Sequence, residues 1–245
     1  MPSLSLVIPA YNESSRISTS LRSIGRYLET ASFDPVEVIV VDDGSRDGTA
    51  EAAISAKRAI SAVGGELRVI SNPSNCGKGY SVQRAMQEAH HDWLLCSDAD
   101  LSTPIKELDR LMGAAAEGGY DVAIGSRAVD RSLIGDHQPL YREALGRIFN
   151  LNVRLLTGLP IADTQCGFKL FSRQAARQIA ARQRLAGFGF DVEQLYLARK
   201  LGFRVAEIAV EWNNNADSSV TLRTGLRAFS DVWRVKWNDW TGRYE

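Results

Sequence analysis

The sequence predicts an α/β fold, one doubly wound and mainly parallel sheet flanked by helices, with an amphipathic helix after it. Three observations carry this. Short β-branched runs alternate with longer helical patterns, strand then helix, several times over. Of the 245 residues 44% are hydrophobic and 24% charged, enough to bury one large core. Acidic and glycine-bearing turns recur where the runs end, and in such sheets ligands sit beyond the carboxyl ends of the strands.

The elements follow in order. "LSLVI" (4–8) is the first strand, and Pro9, which has no N–H, ends its ladder pairing in "PAYNE". "ESSRISTSLRSIGRYLE" has helical spacing, and "VEVIVV" (36–41) is a second apolar strand ending in Asp42-Asp43-Gly44-Ser45. "DGTAEAAISAKRAI" reads as one helix, "LRVIS" (67–71) as a strand, and "NPSNCGKGYS" as a loop opening the helix "KGYSVQRAMQEAH". "WLLCS" (93–97) leads into "DADLSTP", "PIKELDRLMGAAAE" into "DVAIG" (121–125). After residue 138 the rhythm changes to a long helical pattern, "LYREALGRIFNLNVRLL", a short strand "FKLF", two further helices and a last strand "FRVAEIAVEW". No repeat, low-complexity tract or Pro/Gly/Ser-rich linker marks a boundary.

Lys plus Arg and Asp plus Glu both total 29, which disfavours a general nucleic-acid binder. The charge is unevenly spread: residues 1–138 carry 13 basic and 19 acidic side chains, residues 139–245 carry 16 and 10. The second half is the expected surface for an anion. Cys76, Cys96 and Cys166 are odd in number and far apart, which argues against a disulfide framework or a structural zinc site. With no signal-peptide pattern and no stretch near 18 apolar residues, the expected setting is cytoplasmic, peripherally associated with a membrane.

Asp98 and Asp100 share a face at a strand exit, and two carboxylates so close repel unless a hard cation, Mg²⁺ or Mn²⁺, lies between them and bridges to phosphates. Asp42 and Asp43 form a second acidic pair on another exit, in residues that turns also select. Lys78, between Gly77 and Gly79 at a helix start, offers an ammonium and backbone N–H groups to an anion, although Asn72 replaces the first glycine of a P-loop.

The succession "VIPAYNE", "VVDDGSRDGT", "NCGKGYS", "SDADLSTP", "IGSR", "DTQCGFKLF" resembles family-2 glycosyltransferases of the GT-A (Rossmann-like) fold, and within them the polyprenyl-phosphate and dolichyl-phosphate branch. The glucosyltransferase members are the nearer match through "DTQCGFKLF" and "FGFDVE". The resemblance implies that Pro9, Ala10 and Tyr11 line the base pocket, that Glu13 reaches the ribose, and that Asp42 and Asp43 recognise the base and ribose. It implies that Asp98 and Asp100 hold the metal, Asp100 more directly, and that Arg127 lies near the transferring sugar or acceptor phosphate. The expected organisation is a domain over 1–220, with a nucleotide-sugar-binding half (1–138) and an acceptor half (139–220), then a helical segment over 221–245.

The reaction so implied displaces UDP from UDP-glucose, and the nucleophile decides whether a base is needed. A lipid phosphate, with a second pKa near about 6, needs only cationic positioning; Arg127, Arg131, Arg142 and Arg147 are the candidates. A sugar hydroxyl needs a carboxylate, and Asp191 is the candidate, though "DVEQ" also reads as a helix cap. Leu222, Leu226, Phe229, Trp233, Trp237 and Trp240 fall on one helical face flanked by Arg223, Arg227, Arg234 and Lys236, which suits either an anionic lipid surface over 222–240 or packing on the core. Related enzymes carry a Gly-Ser-Lys stretch after the last strand; here Asp217-Ser218-Ser219 has no lysine, and Arg223 is the substitute. A non-catalytic nucleotide-sugar-binding scaffold is the alternative outside enzymes, disfavoured by the intact Asp98/Asp100 pair.

Overall fold

A computed structural model describes residues 1–135, 140–214 and 222–245, with the side chains of 140–144 and 222–227 outside the description. Among these residues the strands β1 (Leu4–Ala10), β2 (Val36–Asp42), β3 (Glu66–Ser71), β4 (Trp93–Cys96), β5 (Val122–Ser126), β6 (Lys169–Ser172) and β7 (Val205–Ala209) form one sheet in the order β3-β2-β1-β4-β6-β5-β7. β1 pairs in parallel with β2 and β4, β2 with β3, and β5 with β7. Only β6 is reversed, antiparallel to β4 and β5 on either side.

The helices are α1 (Ile17–Leu28), α2 (Thr49–Ser55), α3 (Lys57–Ser61), α4 (Lys78–Glu88), α5 (Leu108–Gly118), α6 (Leu140–Thr157), α7 (Arg173–Arg182), α8 (Phe190–Lys200) and α9 (Leu222–Trp240). Strand alternation sorts the core into two layers. Val7, Ile39 and Val41 bury against Met86 of α4, Ile179 of α7, Leu195 of α8 and Val232 of α9. Leu6, Ile8, Val38 and Val40 face Ile24 of α1, Ile60 of α3 and Leu111 of α5. Each such side chain contributes about 1.5–3 kcal/mol by leaving water.

Two expectations are corrected in detail. The helix expected from "DGTAEAAISAKRAI" breaks at Ala56 (φ −87°, ψ 1°) into α2 and α3; α3 then lies so close on α1 that a Cβ on Gly25 would stand 2.5 Å from the Ala59 carbonyl. Pro9 does not end β1, because its missing N–H falls on one side only. Pro9 pairs in register with Val41, and Asp43 N donates to Ala10 O (2.8 Å), so the β2 ladder continues. On the β4 side the register stops at Val7 and Cys96, and the edge opens there. The sheet itself runs across residue 138, with β5 from the first half between β6 and β7 from the second.

α9 has two apolar sides. Ala228, Val232 and Val235 are buried, while Trp233, Trp237 and Trp240 are 58%, 59% and 74% exposed. Phe229 packs edge-on against Phe149 of α6 (5.2 Å). Packing on the core and an outward tryptophan face therefore coexist, at opposite sides of one helix. No described helix is long and apolar enough to cross a membrane. Asp217-Ser218-Ser219 and the side chain of Arg223 lie outside the described residues.

Candidate active site

The exits of β1, β2, β4 and β5 share one rim of the sheet, and the start of the reversed β6 joins them, with Lys169 in register with both Cys96 and Ile124. Pro9, Lys78, Asp98, Gly167, Lys169 and Asp191 line a small cleft there. Lys78 Nζ donates to Asp98 Oδ1 at 2.6 Å. Desolvation in the cleft would raise the Asp98 carboxyl, but the ammoniums of Lys78 and Lys169 and the Arg127 guanidinium hold it below the usual carboxylate range. Desolvation would lower Lys78, and Asp98, Asp191 and Asp100 together raise it. A side chain at Gly167 would displace the Asp98 carboxylate, whose atoms fill the place a Cβ would take.

Asp100 follows in the same turn, its Oδ1 accepting from Ser102 N (3.0 Å) and its Oδ2 from Ser102 Oγ (2.9 Å). The acids crowd one another, and Glu13 registers it: burial, then Asp100, Asp47 and Asp98 push its carboxyl up, against the pull of Arg16 at 2.6 Å. Carboxylate oxygens in mutual repulsion suit a hard divalent cation. No group of three candidate ligands converges among the described residues. Asp98 and Asp100 thus offer part of a coordination sphere, the rest of which would come from substrate phosphates and water, as Mg²⁺ sites usually have it.

Asp42 and Asp43 do different work from one another. Asp42 Oδ1 accepts from Ser45 N (3.1 Å), a local turn bond at the end of β2, and the residue is buried. Asp43 is buried and turned into the protein: Oδ1 accepts from Asn72 Nδ2 (2.7 Å) and Cys76 N (2.9 Å), Oδ2 from Gly77 N (2.9 Å). It anchors the turn that carries Lys78, because three donors from that loop and from Asn72 converge on its two oxygens. Ala10 is buried and Tyr11 is exposed above the β1 exit.

Asp191 is not a helix cap. α8 begins at Phe190 with Gly189 in the capping position, and no side chain caps it. Instead Asp191 Oδ1 receives the Lys169 ammonium, both groups being buried, and Lys169 also donates to Cys166 O (2.6 Å). The carboxylate expected as a general base is committed to an ion pair.

Arg127, at the β5 exit, is gripped by Asp163: Nε to Oδ2 at 2.7 Å, Nη2 to Oδ1 at 2.9 Å, and backbone N to Oδ2 at 3.0 Å. The fork also lies over the Trp212 ring (5.4 Å). Burial would raise Asp163, yet Arg127 lowers it to about 2. Glu207 of β7 holds the Asp163 loop through Ala162 N (2.9 Å) and Asp163 N (2.8 Å). Arg127, Arg131, Arg147 and Arg154 line a second cavity of about 430 Å³ with Asp163 and Trp212. The Arg142 side chain lies outside the described residues.

Lys169, Asp163, Arg154, Glu207 and Trp212 were not singled out from the sequence. "DTQCGFKLF" contains the first two, and a lysine inside an apolar strand was the available signal for Lys169. Nothing local marks Glu207 or Arg154.

The model of a family described as "Glycosyl transferase family 2" matches residues 5–180. The dolichyl-phosphate beta-glucosyltransferase of Drosophila melanogaster is 37% identical over 228 residues, 89% of this chain and 69% of that protein. That of Dictyostelium discoideum is 34% identical over 245 residues, 95% of this chain and 73% of that one. Among solved structures, the glucosyl-3-phosphoglycerate synthase of Mycobacterium tuberculosis in complex with Mn²⁺, uridine-diphosphate and glucosyl-3-phosphoglycerate superposes with a TM-score of 0.68 at 20% identity, over 96% of this chain and 80% of that one.

Proposed function

The chain belongs to glycosyl transferase family 2, it has the GT-A fold, and from that premise we propose that it moves glucose from UDP-glucose, with inversion, onto a polyprenyl phosphate at the cytoplasmic face of a membrane. The observation that carries the choice of acceptor is the pairing of Asp191 with Lys169 beside an arginine-lined cavity. A hydroxyl acceptor needs a free carboxylate to take its proton; the expected one is occupied. A phosphate acceptor needs only cations, and four arginines line the adjoining cavity. The relatives named above, dolichyl-phosphate glucosyltransferases, support the same reading.

In this reading the rim of β1 and β2 takes the nucleoside, with Pro9, Ala10 and Tyr11 at the base and Glu13 and Asp42 toward the ribose. Asp43 serves indirectly, by holding the Lys78 turn. Asp100, with Asp98, would hold Mg²⁺ or Mn²⁺, which neutralises charge on the departing diphosphate when bound. Lys78 adds a protein cation on the same side. Arg127, preset by Asp163, and Arg131, Arg147 and Arg154 orient the acceptor phosphate. An oxygen of that phosphate forms the new bond at the anomeric carbon as the bond to the diphosphate breaks, and UDP departs with the electron pair. Because the attacking oxygen is already ionised, no protein group has to remove a proton.

The test is a donor screen with the purified chain, radiolabelled UDP- and GDP-sugars, a short-chain polyprenyl phosphate and Mg²⁺ or Mn²⁺, read by counting the organic phase. Label is expected there with UDP-glucose. Transfer only to a water-soluble hydroxyl acceptor, or none with any donor, would overturn the reading.

The membrane contact is carried by the outward face of α9 and extends to α6, where Ile148, Leu151 and Leu155 are exposed beside Arg147 and Arg154. Tryptophans and cations on neighbouring helices match an anionic lipid surface. Replacing Trp233, Trp237 and Trp240 together by Ser is expected to abolish co-sedimentation with anionic phospholipid vesicles and to leave the circular dichroism unchanged. Undiminished co-sedimentation would rule this face out.

A further inference from the structure

The turn bearing Lys78 rests on a seat formed by residues 183–186. A Cβ on Gly77 would collide with the Ala186 carbonyl, and one on Gly79 would stand 2.7 Å from the Leu185 carbonyl. Tyr80 N donates to Ala186 O at 3.1 Å. Gln183 Nε2 bridges Gly79 O (2.8 Å) and Leu185 O (3.0 Å), and Gln83 Nε2 reaches back to Gln183 O (3.0 Å). With no side chain at Gly77 or Gly79 to absorb a displacement, backbone meets backbone, and a shift of the seat is a shift of the turn.

The seat is itself held from behind by one carboxylate. Glu193 of α8 is fully buried and accepts from Arg184 N (3.1 Å to each oxygen) and Leu185 N (2.8 Å). Its remaining donor is the hydroxyl of Tyr244, at 2.6 Å, from the segment after α9. Arg243 O of the same segment receives Arg184 Nε at 3.3 Å. A continuous path of short contacts thus runs from Tyr244 through Glu193 and the seat to Lys78, whose ammonium lies on Asp98.

We propose that Tyr244 is a positioning residue for the donor: by fixing Glu193 it holds the seat, and so keeps Lys78 where the diphosphate of a nucleotide-sugar binds. A buried carboxylate that loses one of its few donors rotates toward the others, and here those others are the N–H groups of the seat. The segment after α9, remote from the chemistry in sequence, thereby acts on donor affinity. The proposal rests on the reading of the cleft as a nucleotide-sugar site.

The test is calorimetric titration of UDP with Mn²⁺ into the unaltered chain and three variants. Tyr244→Phe is expected to weaken binding by roughly 3- to 10-fold, the effect of one buried charge-assisted hydrogen bond. Tyr196→Phe removes a comparable hydroxyl bond between α8 and α9, that to Asp239 at 2.6 Å, without touching the seat; it is expected to bind as the unaltered chain does. In a Lys78→Ala background, Tyr244→Phe is expected to cost nothing further, because the two act as one unit. Unchanged affinity in Tyr244→Phe, an equal loss in Tyr196→Phe, or a Tyr244 effect that persists in full without Lys78 would each overturn the proposal. Failure of the unaltered chain to bind UDP at all would instead bring down the nucleotide-sugar reading on which it rests.

Discussion

Asp100→Asn is expected to lower turnover by about 10²- to 10³-fold, the usual loss when one preorganised charge stabiliser of a transition state is removed, with a melting temperature close to that of the unaltered chain. The amide keeps the shape of the carboxylate. Its oxygen can still accept from Ser102 N, and its nitrogen can turn to donate to Ser102 Oγ, so both local bonds survive. What disappears is the negative charge that, on the proposed function, would face the cation and the diphosphate. Raising the Mn²⁺ concentration should recover part of the loss, since a weakened metal site fills by mass action. Steady-state rates across a metal titration check this. Full activity in the variant would mean that Asp100 does not hold the cation. A loss of folded protein would mean that its role is local structure.

Arg127→Ala is expected to destabilise the fold by about 3 kcal/mol, as breaking one side of a buried ion pair does, besides removing one of the four arginines that line the second cavity. Asp163 is 5% exposed at its side chain and loses both forked bonds, keeping only acceptance from backbone N–H groups. Arg127→Lys is no rescue, because a point charge cannot supply the two-pronged contact with Asp163. Arg127→Ala combined with Asp163→Ala should be more stable than Arg127→Ala alone, since no buried charge is then stranded. Urea denaturation at neutral pH measures both differences.

The same pair dictates an acid limb. The Asp163 pKa is about 2 in the folded chain, well below the ordinary aspartate range. A depressed acid contributes stability above its unfolded pKa and loses it as pH falls through the folded value. Roughly 2 kcal/mol should therefore drain away between about pH 4 and pH 2, and that part of the curve should flatten in Asp163→Asn. A variant with an unaltered acid limb would show that Arg127 does not govern Asp163.

Much of the frame was legible because its signals are local. Five β-branched runs became β1 to β5 within a residue or two at most ends, since a buried parallel strand has to be a near-continuous apolar run. The acids at the exits were legible for a related reason: a parallel sheet sends every exit to one rim, so Asp42, Asp98 and Asp100 had to share an edge. The break at Ala56 was not legible, because the helical pattern runs through it, and what α3 meets beyond the break is Gly25 on another helix. The partners of Asp43 and Asp191 were hidden in the same way. An acid at a strand exit or a helix start has the same local signature whether it faces a ligand, an N–H cluster or a buried lysine.

By itself the sequence determined the sheet, the acidic rim and the membership of a glycosyltransferase family, all of which depend on neighbours a few residues apart or on the order of motifs. Only the tertiary structure decided which charges are spoken for. β6 runs against its neighbours, so its first residue, Lys169, arrives at the rim where the parallel strands end, and there it takes Asp191. Arg127 is claimed by a carboxylate 36 residues away and the Lys78 seat by a tyrosine beyond the last helix. Pairings over such separations are set by strand direction and chain crossing, which no local pattern encodes, and they decide which partner each carboxylate takes.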